Sequence, residues 1–174
     1  GHAEAALHIA QRAADNSPVG ALHLDPRTGE VLAMVSRPAF DPNVFGRLRK
    51  ADWDAVINNP YNPMLNRAIQ GRYAPGSTFK PIVAIAGLET GAITESDTAN
   101  CSGVANWYGR PFHCHSRHGT VALHTSLVQS CDIYYYSLGN KLGIDTIAQY
   151  AQLSGLGEKT GIDSAAGVAA SCRI

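Results

Sequence analysis

The position of one proline fixes where a helix can begin in this chain. The segment Ala74-Pro75-Gly76-Ser77-Thr78-Phe79-Lys80-Pro81 ends in a residue that has no amide hydrogen, and a helix tolerates such a residue only in its first turn. The helix that runs on to about Leu88 therefore has to start near Ser77. We predict that Ser77 lies at a helix N-terminus, where backbone N–H groups stabilise developing negative charge.

Ser77 and Lys80 are three residues apart, so they share one face of that helix. A serine hydroxyl is a weak nucleophile unless an adjacent base accepts its proton, and a lysine can do so only as the neutral amine. Burial and the positive end of a helix both favour that neutral form. The pair is predicted to act as nucleophile and base in acyl transfer. The spacing alone also fits a serine that merely caps the helix.

The remaining sequence predicts a mixed α and β domain. Two β-prone runs, Val19–Leu24 and Val31–Val35, flank the turn sequence Asp25-Pro26-Arg27-Thr28-Gly29 and predict an antiparallel hairpin. Residues 36–66 are rich in Pro, Asn and Asp, which predicts a long irregular connection. Apolar periodicity predicts helices over residues 3–14, 120–142 and 144–153, with Gly143 between the last two.

Composition excludes some classes of function. The chain has 174 residues, of which 45% are hydrophobic, enough for one domain with its own core. Its 14 basic and 14 acidic residues give a formal net charge of zero, so we expect no nucleic-acid partner. No apolar run approaches the roughly 20 residues that span a bilayer.

Several other segments belong with the Ser77 motif. They are residues 25–36, Phe40-Asp41-Pro42-Asn43, Asn66-Arg67-Ala68 and Ser130-Cys131-Asp132-Ile133-Tyr134-Tyr135-Tyr136. As a set, over about residues 3–163, they resemble the penicillin-binding proteins, in particular class B D,D-transpeptidases of the penicillin-binding protein 2 type. The resemblance implies the α+β fold shared with serine β-lactamases, an antiparallel sheet flanked by helices. It also implies a partial transpeptidase domain at 1–163 and a divergent tail at 164–174.

The resemblance implies a role for each of four residues. Ser77 attacks a D-Ala-D-Ala peptide or a β-lactam, and Lys80 takes its proton. Ser130 relays a proton to the leaving group, and Asp132 stands where an Asn often binds the substrate. The implied partners are peptidoglycan stem peptides, β-lactams and, in the full-length family, a cell-wall glycosyltransferase. The implied location is the bacterial inner membrane, with the catalytic domain facing the periplasm.

The third motif of the family, Lys-Thr-Gly, has only a false counterpart here. Lys159-Thr160-Gly161 follows Ser130 by 29 residues, whereas the family's third motif comes far later on a strand beside the nucleophile. We therefore expect a truncated domain that lacks the C-terminal strands, and we expect the isolated chain to be a poor catalyst. Two alternatives stay open, a β-lactam sensor or inactive pseudo-enzyme and a serine β-lactamase.

Four residues between and within the first two motifs could bind a metal. Cys101, Cys114, His118 and Cys131 form a Cys₃His set, which suits tetrahedral zinc. Penicillin-binding protein 2 relatives have a comparable set of ligands, which implies a structural zinc. The alternative is a Cys101–Cys114 disulfide with a buried Cys131. His113 and His115 are predicted to be exposed loop residues, and Cys172 an unpaired thiol in the tail.

Overall fold

The computed structural model describes residues 18–47 and 49–162. They form two compact units, residues 18–73 and residues 74–162. The predicted helix over residues 3–14, the predicted tail at 164–174 and its Cys172 lie outside the described residues.

The first unit opens with the predicted hairpin. Strand β1 (Val19–Leu24) pairs with β2 (Val31–Arg37) in antiparallel register, so that Val19 faces Arg37. The Asp25 carboxylate closes the turn by accepting the Arg27 backbone N–H at 2.9 Å, a local bond typical of aspartate in turns. The hairpin prediction is confirmed.

The connection after the hairpin is less irregular than predicted. It contains two short helices, α1 (Val44–Arg47) and α2 (Lys50–Ile57). They were not predicted because the segment is rich in Pro, Asn and Asp. The loop that follows is held from inside by Arg67, whose side chain donates to the backbone carbonyls of Tyr61, Asn62 and Leu65. Arg67 is 7% exposed, so these carbonyls satisfy a guanidinium that would be costly to bury unpaired.

The second unit alternates helices with short strands. A 3₁₀ turn (Gly76–Phe79) leads into α3 (Lys80–Glu89), and four strands follow: β3 (Thr98–Cys101), β4 (Val104–Trp107), β5 (Arg110–His113) and β6 (Gly119–Ala122). The unit ends with α4 (Leu123–Val128) and α5 (Asp132–Leu153). Strand β3 pairs with β6 and β4 with β5, both antiparallel. The α+β prediction is confirmed, with the described strands forming three separate two-stranded sheets.

The core of the second unit lies between α3, α5 and the β3–β6 pair. Its buried apolar side chains include Val83 on α3, Val121 on β6 and Leu138 on α5. Each such side chain contributes roughly 1.5–3 kcal/mol when it is fully removed from water. This core places the start of α3 beside the start of α5, and those two helix starts carry the predicted catalytic residues.

The prediction of one helix over residues 120–142 is wrong. Residues 119–122 form β6, because their backbone pairs with β3 about twenty residues earlier in the chain. A short helix then ends at Val128, and α5 begins only at Asp132. The break between them is a corner at residues 129–131, which includes Ser130 and Cys131.

The predicted boundary at Gly143 has a counterpart in the structure. Gly143 has φ 74° and ψ 166° and kinks α5, a conformation that a residue with a side chain rarely adopts. The chain continues as helix to Leu153, close to the end predicted for the last helix. Among the residues described, no helix combines the length and the apolar character needed to cross a membrane.

Candidate active site

The structure places Ser77 in the 3₁₀ turn immediately before α3. Gly76 precedes it with φ 56°, a left-handed conformation that glycine adopts without strain. Pro81 lies in the first turn of α3, as its missing N–H requires. The predicted helix start is confirmed to within one turn, and Ser77 is exposed at the surface of this unit.

The corner between α4 and α5 brings a second serine to the same place. Its backbone is anchored by two bonds, from Ser130 N to the Leu127 carbonyl at 3.1 Å and from Cys131 N to the Ser126 carbonyl at 2.8 Å. Ser130 has φ 50°, an uncommon conformation for a residue with a side chain, and strained residues of this kind cluster at functional sites. The turn directs its hydroxyl toward Ser77.

Four side chains form one continuous hydrogen-bonded network. Ser130 Oγ lies 2.7 Å from Ser77 Oγ and donates to it, while Lys80 Nζ donates to Ser130 Oγ at 3.0 Å. Lys80 Nζ also donates to the Ser130 carbonyl at 2.7 Å and to Asp132 Oδ1 at 2.6 Å. The network therefore contains all four residues that the resemblance implicated: Ser77, Lys80, Ser130 and Asp132.

The connectivity of this network differs from the expected serine–lysine pair. In the described residues, Ser77 and Lys80 form no direct hydrogen bond, and the Ser130 hydroxyl links them. Lys80 is 9% exposed, and its three acceptors equal in number the three hydrogens of an ammonium group. Hydroxyl hydrogens rotate, so the same chain of atoms carries a proton toward Lys80 when that amine is neutral and away from it when it is an ammonium.

The carboxylate of Asp132 completes the charge balance of the site. Partial burial opposes its ionisation, but the hydrogen bond and positive charge of Lys80, with a smaller contribution from His115, outweigh burial and hold the pKa of Asp132 below its usual value. The ring of Tyr135 also lies beside the amine, with Lys80 Nζ 5.5 Å from its centroid. Lys80 is thus enclosed by an anion, two serine oxygens and an aromatic face.

The comparisons with known proteins decide the family. The model of the penicillin binding protein transpeptidase domain matches residues 19–170. This chain belongs to the penicillin-binding protein transpeptidase family. It is 40% identical to the peptidoglycan D,D-transpeptidase MrdA of Acinetobacter baumannii over 148 residues, which are 80% of this chain and 22% of that relative.

Solved structures of the family share the same fold. The penicillin-binding protein 2 of Helicobacter pylori, in its complex with MreC, superposes with a TM-score of 0.82 at 28% identity, over 89% of this chain and 29% of that one. Penicillin-binding protein A of Mycobacterium tuberculosis, as an imipenem acyl-enzyme complex, gives 0.73 at 31% identity, over 80% of this chain and 34% of that one. The chain thus spans about a fifth to a third of the length of these relatives.

A cluster of sulfur and nitrogen atoms lies next to this family's serine–lysine network. Cys101 ends β3, Cys114 follows β5, His118 precedes β6 and Cys131 lies in the corner. Their ligand atoms all lie within 4.8 Å of one another, and His118 Nδ1 is 3.5 Å from both Cys101 Sγ and Cys114 Sγ. Tetrahedral zinc places such atoms roughly 3.5–3.8 Å apart, so this donor set fits the ion.

The three thiols of the cluster have different surroundings. All three are free in the described residues, so Cys101 and Cys114 are not joined by the alternative disulfide. Burial opposes ionisation of Cys114, but backbone N–H donors from Ser116, Asp132 and Ile133 outweigh it and lower its pKa. Burial raises the pKa of Cys131 to about 11, so a metal would have to displace its proton.

The cluster contacts the serine–lysine network through the backbone. Cys131 lies between Ser130 and Asp132 in the chain and is fully buried. The Asp132 backbone N–H is one of the donors at the start of α5 that have no acceptor within the helix. It donates to Cys114 Sγ at 3.3 Å. The sulfur therefore caps the helix that carries Asp132.

The sequence did not reveal every neighbour of the site. His115 is exposed, as predicted, but its Nδ1 lies 3.7 Å from Asp132 Oδ2. The contact of Tyr135 with Lys80 was also missed, although Tyr135 follows Asp132 by three residues and so lies near it on the helix. Lys159, Thr160 and Gly161 are exposed after the end of α5.

Proposed function

We propose that this chain carries the acyl-transfer machinery of a peptidoglycan D,D-transpeptidase. Ser77 Oγ attacks the carbonyl carbon of a D-Ala-D-Ala peptide or of a β-lactam ring, and its proton passes through Ser130 Oγ to Lys80 Nζ. Lys80 accepts that proton in its neutral amine form, whereas the three donated hydrogen bonds described above belong to its resting ammonium form. The carbon–nitrogen bond then breaks, and the leaving nitrogen takes a proton back from Ser130. The observation that carries this proposal is the hydrogen-bonded chain from Ser77 through Ser130 to Lys80 and Asp132.

The acyl-enzyme has two fates under this proposal. An amine from a neighbouring stem peptide attacks the ester carbonyl and gives a cross-link, whereas a β-lactam remains attached to Ser77. The imipenem acyl-enzyme of the Mycobacterium tuberculosis relative supports the second outcome for this family. Ser77 lies at the start of a helix, where its own backbone N–H can stabilise the oxyanion.

The partners and location of the whole protein follow by analogy with its relatives. We propose that it acts on peptidoglycan stem peptides, that it works with a cell-wall glycosyltransferase, and that the catalytic domain faces the periplasm from the inner membrane. The Helicobacter pylori relative was solved with MreC, which supports assembly with other cell-wall proteins.

We further propose that Cys101, Cys114, His118 and Cys131 hold a structural zinc ion. Bound there, zinc supplies a cross-link among strands β3, β5 and β6 and the corner. The fit of the donor set supports this proposal, because three cysteine sulfurs and an imidazole nitrogen already lie within 4.8 Å of one another. The protein residues alone carry out the proton transfers described above.

Intact-mass analysis after prolonged incubation with penicillin G tests the catalytic proposal. We expect slow formation of one covalent adduct, which peptide mapping places on Ser77 and which is absent from the Ser77→Ala variant. Ser137→Ala serves as the matched serine control on α5. No Ser77 adduct after exhaustive incubation, or an adduct that persists in Ser77→Ala, would contradict the proposal.

The same samples separate the three candidate activities. A transpeptidase retains the penicilloyl group for hours and releases D-Ala from a stem pentapeptide when an amine acceptor is added. A serine β-lactamase releases penicilloic acid with many turnovers, and a sensor acylates without processing any peptide. Following the acyl-enzyme, penicilloic acid and D-Ala separately distinguishes them.

A further inference from the structure

A cleft with aromatic walls runs between the β4–β5 hairpin and α5 within the second unit. Its volume is about 290 Å³, and it is lined mainly by Trp107, Tyr108, Phe112, Tyr135, Tyr136 and Asn140. We propose that this cleft is a subsite for a sugar ring, an N-acetylated hexose of the peptidoglycan strand that bears the stem peptide. The proposal rests on the proposed function and extends it from the peptide to the glycan.

Three of the rings form a mutually supporting platform. The ring of Trp107 meets those of Phe112 and Tyr136 at centroid distances of 5.7 and 6.0 Å, and Phe112 meets Tyr136 at 5.3 Å. All three contacts are edge-to-face, the arrangement that aromatic quadrupoles favour. The platform is thus held in place while Tyr136 remains 40% exposed to solvent.

A fourth ring closes one end of the cleft. Tyr108 lies at the tip of the hairpin with φ 53° and is 82% exposed, yet its hydroxyl donates to Asn140 Oδ1 on α5. This bond holds an exposed aromatic ring against the helix. Large aromatic surface kept in water in a fixed position is typical of a binding site.

The polar groups of the cleft indicate a neutral ligand. No charged side chain lines it. Within the part of the chain that the structure describes, neither the Trp107 indole N–H nor the Tyr136 hydroxyl has a hydrogen-bond partner. A sugar ring offers apolar C–H faces to the aromatic rings and hydroxyl or amide groups to these two donors. A stem peptide carries charged carboxylate and amino groups, which an uncharged aromatic cleft would desolvate without compensation.

The cleft adjoins the proposed active site. Tyr135 lines the cleft, and its ring also lies 5.5 Å from Lys80 Nζ. Tyr136 lies on α5 one helical turn after Asp132, so the two side chains project from neighbouring positions on one face. The scissile bond of a stem pentapeptide lies about four residues from the sugar, up to roughly 14 Å when the peptide is extended, and the proposal assigns that peptide to the path between the cleft and Ser77.

Ligand affinities measured on the Ser77→Ala variant of this chain test the subsite without turnover. The two ligands are a disaccharide–pentapeptide and the same pentapeptide without sugars, each titrated by NMR chemical shift. We expect the disaccharide–pentapeptide to bind about tenfold more tightly, and we expect Tyr108→Ala and Tyr136→Ala, each added to Ser77→Ala, to reduce that ratio to about one. Leu153→Ala, at the exposed end of α5, should keep the ratio.

Other outcomes overturn the subsite. Equal affinity for the two ligands would do so, as would a tenfold ratio that survives both tyrosine substitutions in variants whose circular dichroism shows an intact fold. Tighter binding of the sugar-free peptide, lost in Tyr108→Ala, would assign the cleft to peptide instead. Penicillin acylation of the unsubstituted chain is scored separately, so failure of the subsite and failure of acyl transfer are distinguishable.

Discussion

Ser130 Oγ donates a 2.7 Å hydrogen bond to Ser77 Oγ across 53 positions of sequence, and it accepts another from Lys80 Nζ at 3.0 Å. The hydroxyl of Ser130 is therefore the only hydrogen-bonded link between the proposed nucleophile and its base in the described residues. A role in relaying protons follows directly from that position.

Removing the Ser130 hydroxyl should disconnect Ser77 from Lys80. We expect Ser130→Ala to reduce the rate of Ser77 acylation by penicillin about 10²–10⁴-fold, the usual contribution of a positioned proton-transfer group. Mass spectrometry of samples quenched at successive times measures the rate of adduct formation. Ser137→Ala is the control, and an unchanged rate in Ser130→Ala would show that Lys80 deprotonates Ser77 without the relay.

The left-handed backbone conformation of Ser130 should lower the free energy of unfolding of any variant that keeps a side chain at this position. Ser130→Ala keeps the unfavourable φ of 50°, whereas Ser130→Gly removes both the hydroxyl and the strain. We expect the Gly variant to exceed the Ala variant in free energy of unfolding by about 1 kcal/mol. Urea denaturation of both proteins checks this, and equal stabilities would mean that the corner relaxes when the side chain is shortened.

The charge of Asp132 should stabilise the fold only where it is ionised. Because its pKa is lower in the folded state than in the unfolded chain, its contribution is fully present above about pH 4 and is lost as pH falls through the folded-state value. We expect Asp132→Asn to cost roughly 1 kcal/mol at pH 7 and the difference from wild type to shrink below pH 4.

Unfolding free energies from pH 3 to pH 7, measured with chelator in both samples, test the role of this carboxylate. Glu95→Gln is the matched control, because it also removes one carboxylate charge. A difference between Asp132→Asn and wild type that stays constant down to pH 3 would contradict an ionised aspartate.

Zinc binding should release protons from the cysteine cluster. The free thiols of Cys101, Cys114 and Cys131 must ionise to bind the metal, and burial raises the pKa of Cys131 to about 11. We expect the affinity to fall as pH decreases and the melting temperature to rise on zinc addition. Calorimetry in buffers of different ionisation enthalpy counts the protons released.

A Cys172→Ser background removes the tail thiol from this measurement. Within it, Cys131→Ser should weaken zinc binding strongly, whereas His113→Ala, which changes a histidine outside the cluster, should not. Zinc affinity that is the same in all these variants would place the ion elsewhere.

Propensity, turn and periodicity rules predicted the parts of the fold that depend on residues close together in sequence. Pro81 determines where α3 can begin, and the turn at residues 25–29 determines the hairpin. The same rules gave a wrong prediction for residues 119–131. Val121 is in a strand only because it pairs with β3, and Ser130 adopts a backbone conformation that intrinsic propensity disfavours. Both depend on contacts between residues far apart in sequence, which periodicity within a short window does not register.

The residues of the candidate site could be predicted from the sequence, but their contacts could not. The sequence motifs identified Ser77, Lys80, Ser130 and Asp132. Which of these side chains form hydrogen bonds with each other depends on how α3 packs against α5. The involvement of His115 and Tyr135 also depends on that packing. The aromatic cleft could not be predicted from the sequence around Trp107 and Tyr108, since its other wall comes from a helix that begins about twenty-five residues later.

The placement of Cys131 limits how this corner can change over evolutionary time. Its side chain belongs to the sulfur cluster, while its two peptide bonds join the residues whose side chains contact Lys80. A single inserted or deleted residue at this point would rotate either the thiol or the serine away from its partners. The spacing of these three positions is therefore less free to vary than the identity of most residues around them.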